Sequence, residues 1–190
     1  VQIVVERVSQ RAQVVLVCND RTPASAESLA ADLRERVGED LHSLWWNGNT
    51  TRHNVILGAD WAHLSGPATV REHIAGVDVF YGPGAFGQAN LLLADRLVER
   101  VTDGLAGARS VVDAYAGSGA FGLPLLARGA TVHFGERSPD ALAGLRAGIA
   151  ARPAAERARA FVHAGETAEQ TGLWPAIAAA DAVVLDPPRK

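Results

Sequence analysis

Asp113, Glu136 and Asp186 each close a short apolar run, in "SVVD", "TVHFGE" and "DAVVLD". Between the first two lies "AYAGSGAFG", whose Gly117, Gly119 and Gly122 have the spacing G-x-G-x-x-G. A glycine loop between a strand and a helix lets backbone N–H groups approach a ligand closely. The same spacing also serves as a plain tight turn, so the carboxylates around it must decide what it holds.

Two adenosine-containing cofactors use such a loop. A dinucleotide brings a pyrophosphate, which a carboxylate at Asp113 would repel. S-adenosylmethionine brings an ammonium and a sulfonium, which the same carboxylate attracts. Glu136 stands where an acid can accept bonds from ribose hydroxyls, a feature of both cofactors, or it is a solvated strand-end acid. Asp186-Pro187-Pro188-Arg189 follows an apolar strand pattern at the same edge of the expected sheet. Prolines there fix the loop and remove donors, either holding Asp186 toward a substrate or simply ending the strand.

The elements that must position these residues alternate from residue 109 onward. The pattern predicts strands at 109–113, 130–135, 160–163 and 181–185, with helices from about 120, at 139–150 and near 168–179. That order predicts an α/β domain with a parallel sheet. Before it, "ANLLLADRLVERVTDG" reads as a helix with Leu93, Leu97 and Val101 on one face. The first part reads as a small α+β accessory unit: strands in "VQIVVERV" and "QVVLVCN", then a helix opened by Thr22-Pro23, with Leu29, Leu33 and Val37 on one face and Gly38 as its stop. Three glycines and a proline in "YGPGAFG" suggest a boundary, giving domains at 1–82 and 83–190. Both ends of the sequence run into strand patterns, so each domain is expected to continue further.

Composition narrows the rest. With 18 basic and 21 acidic residues the net charge is −3, so any polyanion partner needs a local patch. The single cysteine, Cys18, excludes a disulfide framework and fits a reducing, cytoplasmic setting. No stretch is apolar for the roughly 20 residues that span a bilayer. His42, His53, His63, His73, His133 and His163 show no ligand spacing, so no metal is expected.

Taken together, "NVILG" at 54–58, "GPGAFGQAN" at 82–90, "VVDAYAGSGAFGLPLLARG" at 111–129, "VHFGERSPDAL" at 132–142 and "DAVVLDPPRK" resemble, in order, the S-adenosylmethionine-dependent RNA uracil-5-methyltransferases of transfer and ribosomal RNA. The resemblance implies a Rossmann-like class I methyltransferase domain, here its first four strands, preceded by the accessory domain. It implies Gln88, Tyr115, Glu136 and Asp186 around the cofactor, with Asp113, Gly117 and Gly119 in its loop. It implies Phe86, Asn90, Pro187 and Arg189 near the target base. Ala120 and Gly165 stand where the family usually has asparagines, and Gly87 replaces the second aromatic of its F-F-Q.

In that family a cysteine thiolate adds to uracil C6, C5 then attacks the methyl group, and a base removes the C5 proton. The resemblance places that cysteine and a glutamate base beyond Lys190, and an RNA-binding barrel, in some members with an iron-sulfur cluster, before Val1. The fragment alone is then expected to bind cofactor weakly and to catalyse nothing. Cys18 reads as a small buried apolar residue. A methyltransferase with a different substrate and a non-catalytic RNA-binding relative stay open as alternatives.

Overall fold

The computed structural model describes residues 1–52, 54–166 and 172–187. The chain forms two compact units, Val1–Arg71 and Glu72–Lys190. In the first, β1 (Gln2–Glu6) pairs antiparallel with β2 (Arg11–Cys18), and a 3-10 turn (Pro23–Ala26) leads into α1 (Glu27–Val37). β3 (Leu41–Gly48) then runs parallel to β2, and β4 (Asp60–Ser65) antiparallel to β3, giving the order β1-β2-β3-β4.

Register explains this unit's core. Val14 pairs with Leu44 and Leu16 with Trp46, so one face of the sheet collects apolar side chains. Ala26 and Ala30 close over them, with Leu33 packed beside. Leu29, expected on the buried face, is exposed, because two alanines allow the helix to approach the sheet more closely than leucines would. Gly38 ends α1 as expected, with φ +58° and its N–H on the carbonyl of Arg34.

The second unit begins within the hairpin of β5 (Val70–Ile74) and β6 (Val77–Tyr81). Ile74, Val77 and Val79 are buried in this unit's core, so the glycine-rich loop at 82–87 lies inside the unit instead of ahead of it. α2 (Leu91–Gly104) follows, capped by Asn90, whose side-chain oxygen accepts from the N–H of Leu93. Its buried residues are Ala94, Val98 and Thr102, while Leu93 and Leu97 are exposed. The inward stripe is thus one position away from the expected leucine stripe, again with smaller residues inward.

Next come β7 (Ser110–Asp113), α3 (Gly122–Ala127), β8 (Thr131–Glu136), α4 (Pro139–Ala150), α5 (Ala154–Arg157), β9 (Ala160–Ala164), α6 (Leu173–Ala179) and β10 (Ala182–Val184). The strands form a parallel sheet in the order β10-β7-β8-β9. The strand and helix positions follow the sequence pattern closely, apart from α5, which the pattern did not announce. Expected helical residues 167–171 lie outside the described residues.

β7 is central, and both of its faces are covered. Val111 belongs to the core with Leu123, Leu126, Val132, Phe134 and Leu145, whereas Val112 and Ala114 pack with Leu173 on the other face. At its start, Asp181 accepts from the N–H groups of Arg109 and Ser110, at 2.7 and 3.0 Å, and ties β7 to the strand beside it.

α4 opens with Pro139 at its first turn and lies directly on β6. A Cβ on Gly144 would stand 2.0 Å from the backbone oxygen of Phe80, an atom that cannot swing away. Gly144→Ala should therefore destabilise the unit by about 1–3 kcal/mol, the cost of overpacking. Urea unfolding of the variant against wild type measures this, and an unchanged midpoint would contradict the close approach.

Candidate active site

The parallel strands all point their carboxyl ends at one edge, the usual ligand edge of such a sheet. Asp113 is the last residue of β7, Glu136 the last of β8, and Asp186 lies two residues past β10. The loop after β7 is held by its neighbours: the N–H of Ala114 donates to Val184 at 3.1 Å, and that of Ala116 to Gly135 at 2.9 Å. The glycine loop is thus suspended between the ends of β10 and β8.

The glycines do different things. Gly117 (φ +55°) has nothing within 4 Å of where a Cβ would be, so its requirement is conformational and the space beside it is open. Gly119 (φ +91°) is also packed, with Leu145 and Leu123 at 2.8 and 2.9 Å from that point. At Gly122 the ring of Phe134 would be met. The G-x-G-x-x-G spacing therefore combines one open position with two packing positions.

Asp113 is fully buried. Its Oδ2 accepts from the N–H of Gly122 at 3.0 Å, while Oδ1 has no partner. Burial, reinforced by Asp186 and Glu136 and opposed by the Gly122 bond, pushes its pKa up to about 7. A carboxyl in this setting is half protonated near neutrality. Ser118, in the same loop, is likewise buried with an unpartnered Oγ.

Glu136 is part-buried and already employed. Its Oε2 accepts from the N–H of Gly117 at 2.8 Å, and its Oε1 from Arg137 and Ser138 at 2.8 and 2.7 Å. It therefore latches the glycine loop to the end of β8. A carboxylate offers about four acceptor positions, so one remains for a ligand hydroxyl.

Tyr115, Asp186 and Pro187 are exposed at this edge. Phe86 and Gln88 are exposed in the loop before α2, and Asn90 there serves as a helix cap. A Cβ on Gly82, at the start of that loop, would stand 3.3 Å from the backbone oxygen of Asp140 in the first turn of α4. Arg189 lies outside the described residues. The structure thus brings Asp113, Gly117, Gly119, Glu136 and Asp186 together.

Two further clusters lie near this edge and on the sheet without a motif to mark them. Arg137 and Glu166 form an exposed ion pair just beyond the ends of β8 and β9. On the α6 face, His133 stacks on Phe161 and approaches His163 with ring nitrogens 3.1 Å apart, and burial lowers the pKa of both histidines. Pairing of alternate residues on β8 and β9 would have indicated this cluster. Among the described residues, no group of three or more His, Cys, Asp or Glu side chains is placed to hold a metal ion. No helix among them is long and apolar enough to cross a membrane.

Known proteins resemble both the sequence and the fold. Residues 98–190 match a family model described as Conserved hypothetical protein 95. An uncharacterized RNA methyltransferase of Protochlamydia amoebophila is 30% identical over 195 residues, which cover 100% of this chain and 50% of that protein. The chain is thus similar along its whole length to half of a protein named as an RNA methyltransferase. A tRNA (uracil(54)-C(5))-methyltransferase of Pyrococcus abyssi is 33% identical over 93 residues, covering 49% of this chain and 22% of that one. The crystal structure of the Pyrococcus abyssi tRNA (uracil-54, C5)-methyltransferase, in complex with S-adenosyl-L-homocysteine, superposes with a TM-score of 0.71 at 24% identity, covering 98% of this chain and 43% of that one. The expected α/β, Rossmann-like methyltransferase fold is therefore the one observed. The chain spans about half the length of the first of these relatives.

The buried carboxyl carries a stability signature. Because the folded-state pKa of Asp113 is raised above that of an unfolded aspartate, its contribution is full below about pH 4 and is lost as pH rises toward about 7. Asp113→Asn cannot ionise and should lack this loss. The unfolding free energy of the variant relative to wild type should thus increase between pH 4 and pH 7.5 in urea titrations. A pH-independent difference would show that the carboxyl does not titrate in that window.

Proposed function

We propose that the complete protein transfers a methyl group from S-adenosylmethionine to C5 of a uridine in ribosomal or transfer RNA. The observation that carries this reading is the fully buried, half-satisfied carboxyl of Asp113, with Glu136 and Asp186 adding negative potential beside an open glycine position. A pyrophosphate would meet repulsion there, whereas an ammonium and a sulfonium meet the opposite charge. The donor set therefore fits S-adenosylmethionine, which supplies a methyl group on a cationic sulfur.

The chain's own residues would then divide the binding. Gly117 and Gly119 bring loop backbone to the cofactor, and Glu136 accepts from a ribose hydroxyl with its remaining acceptor position. Tyr115 packs on the apolar arm of the cofactor, and Gln88 and Asp186 complete its surroundings. Phe86, Asn90 and Pro187 would face a flipped uridine, which must leave its stack to be modified, and the motif order gives Arg189 the same role. Specificity for C5 is supported by the order of the sequence motifs and by the tRNA methyltransferase relative.

Uracil C5 becomes nucleophilic only after a thiolate adds at C6, so the reading requires a cysteine and a base. Cys18, the last residue of β2, packs part-buried against the apolar core of the first unit as a small hydrophobe. This reading assigns neither the nucleophile nor the base to a described residue of the chain. A cytoplasmic location goes with this reading.

Two measurements test it. The complete protein, given RNA transcripts carrying tritium at uridine C5, should release tritium to water only when S-adenosylmethionine is present. Methyl transfer without tritium release would move the target to another atom, and RNA binding without transfer would favour a non-catalytic relative. Separately, Glu136→Ala should weaken S-adenosylhomocysteine binding in calorimetry by about tenfold or more, the worth of a hydrogen bond to a charged group. Unchanged affinity would remove Glu136 from the cofactor site.

A further inference from the structure

Resting on that reading, we infer that cofactor binding is proton-linked through Asp113, so that the site distinguishes S-adenosylmethionine from its demethylated product by charge. In the free protein, Asp113, Glu136 and Asp186 share the ends of β7, β8 and β10. Like charges at such range do not all stay ionised, and the member most cut off from water carries the proton. That member is Asp113, fully buried and with one oxygen unpartnered.

Among the described residues, no charged side chain on the packed elements offsets this charge, and the N–H of Gly122 opposes it only in part. α3 (GLPLLA) and α6 (LWPAIAA), both against β7, contain no titratable side chain, and neither does β10 (AVV). On β8, Glu136 adds to the negative potential at Asp113, while His133 pairs with Val112, whose side chain lies on the α6 face. In the loop, Tyr115 is exposed. Arg137, next to Glu136, is committed to Glu166.

S-adenosylmethionine carries an ammonium, a sulfonium and a carboxylate, for a net charge of +1. Its arrival replaces the missing counter-charge, so the Asp113 carboxyl gives its proton to the solvent and stays as carboxylate. Loss of the methyl group turns the sulfonium into a neutral sulfide and leaves the product with no net charge. The proton then returns from solvent to Asp113, and the attraction that held the cofactor fades as the product must leave. Asp113 acts here through its field, as a specificity-determining group that need not touch the ligand.

Calorimetry of the complete protein at pH 7, in phosphate and in Tris, reads the protons directly because the two buffers differ in ionisation enthalpy. Binding of S-adenosylmethionine should release about half a proton, and binding of S-adenosylhomocysteine clearly less. Between pH 6 and pH 8 the affinity for S-adenosylmethionine relative to the product should rise by up to about tenfold. Asp113→Asn should bind with reduced affinity and release no proton. Heats independent of buffer, or equal proton release with both ligands, would overturn the inference while leaving the cofactor assignment intact. Failure of both ligands to bind would overturn the assignment itself and the inference with it. Should Asp113→Asn not fold, the wild-type comparison of the two ligands decides alone.

Discussion

A carboxyl group without water, at the end of the central strand of a parallel sheet, is the constraint around which the second unit is arranged. Asp113 can exist there because Gly122 brings its N–H to Oδ2 at the start of α3. That approach in turn needs glycine at 122, since any side chain would meet the ring of Phe134. Phe134 is held by the register of β8 against β7. One unfavourable burial thus ties together a strand end, a helix start and a core aromatic, and the glycine loop between them inherits its position.

The alternation of strands and helices from 109 onward was readable because a parallel sheet buried on both faces needs continuous apolar runs, and those are conspicuous in "SVVD" and "TVHF". Which side of a helix faces inward was less readable. At α1 and α2 the large leucines suggested the buried stripe, yet Ala30, Ala94 and Val98 occupy it. Hydrophobicity marks candidates for burial, but close packing selects among them by size, and size depends on a neighbour that the sequence does not name.

The carboxylates of the site were legible for a similar reason: each ends an apolar run, and strand ends converge in this fold. Their present partners were not. That Glu136 holds the N–H of Gly117, while Asp113 turns toward Gly122, depends on backbone N–H directions in the loop. Residue types cannot report those directions. The histidine and phenylalanine cluster on β8 and β9 escaped for want of register, because neighbours across strands are distant in sequence.

The glycines of the loop also differ in what an added methyl group would encounter, and this makes the loop unevenly free to diverge. At 117 the obstacle is backbone conformation alone, whereas at 119 and 122 a change must be matched by changes at Leu123, Leu145 or Phe134. Substitution of a rim acid such as Asp186, two residues past β10, disturbs little packing, since that residue is exposed. A lineage drifting toward another ligand would therefore find its easiest path in the charges at the rim, keeping the glycine framework as an inherited scaffold that outlasts the chemistry it first served.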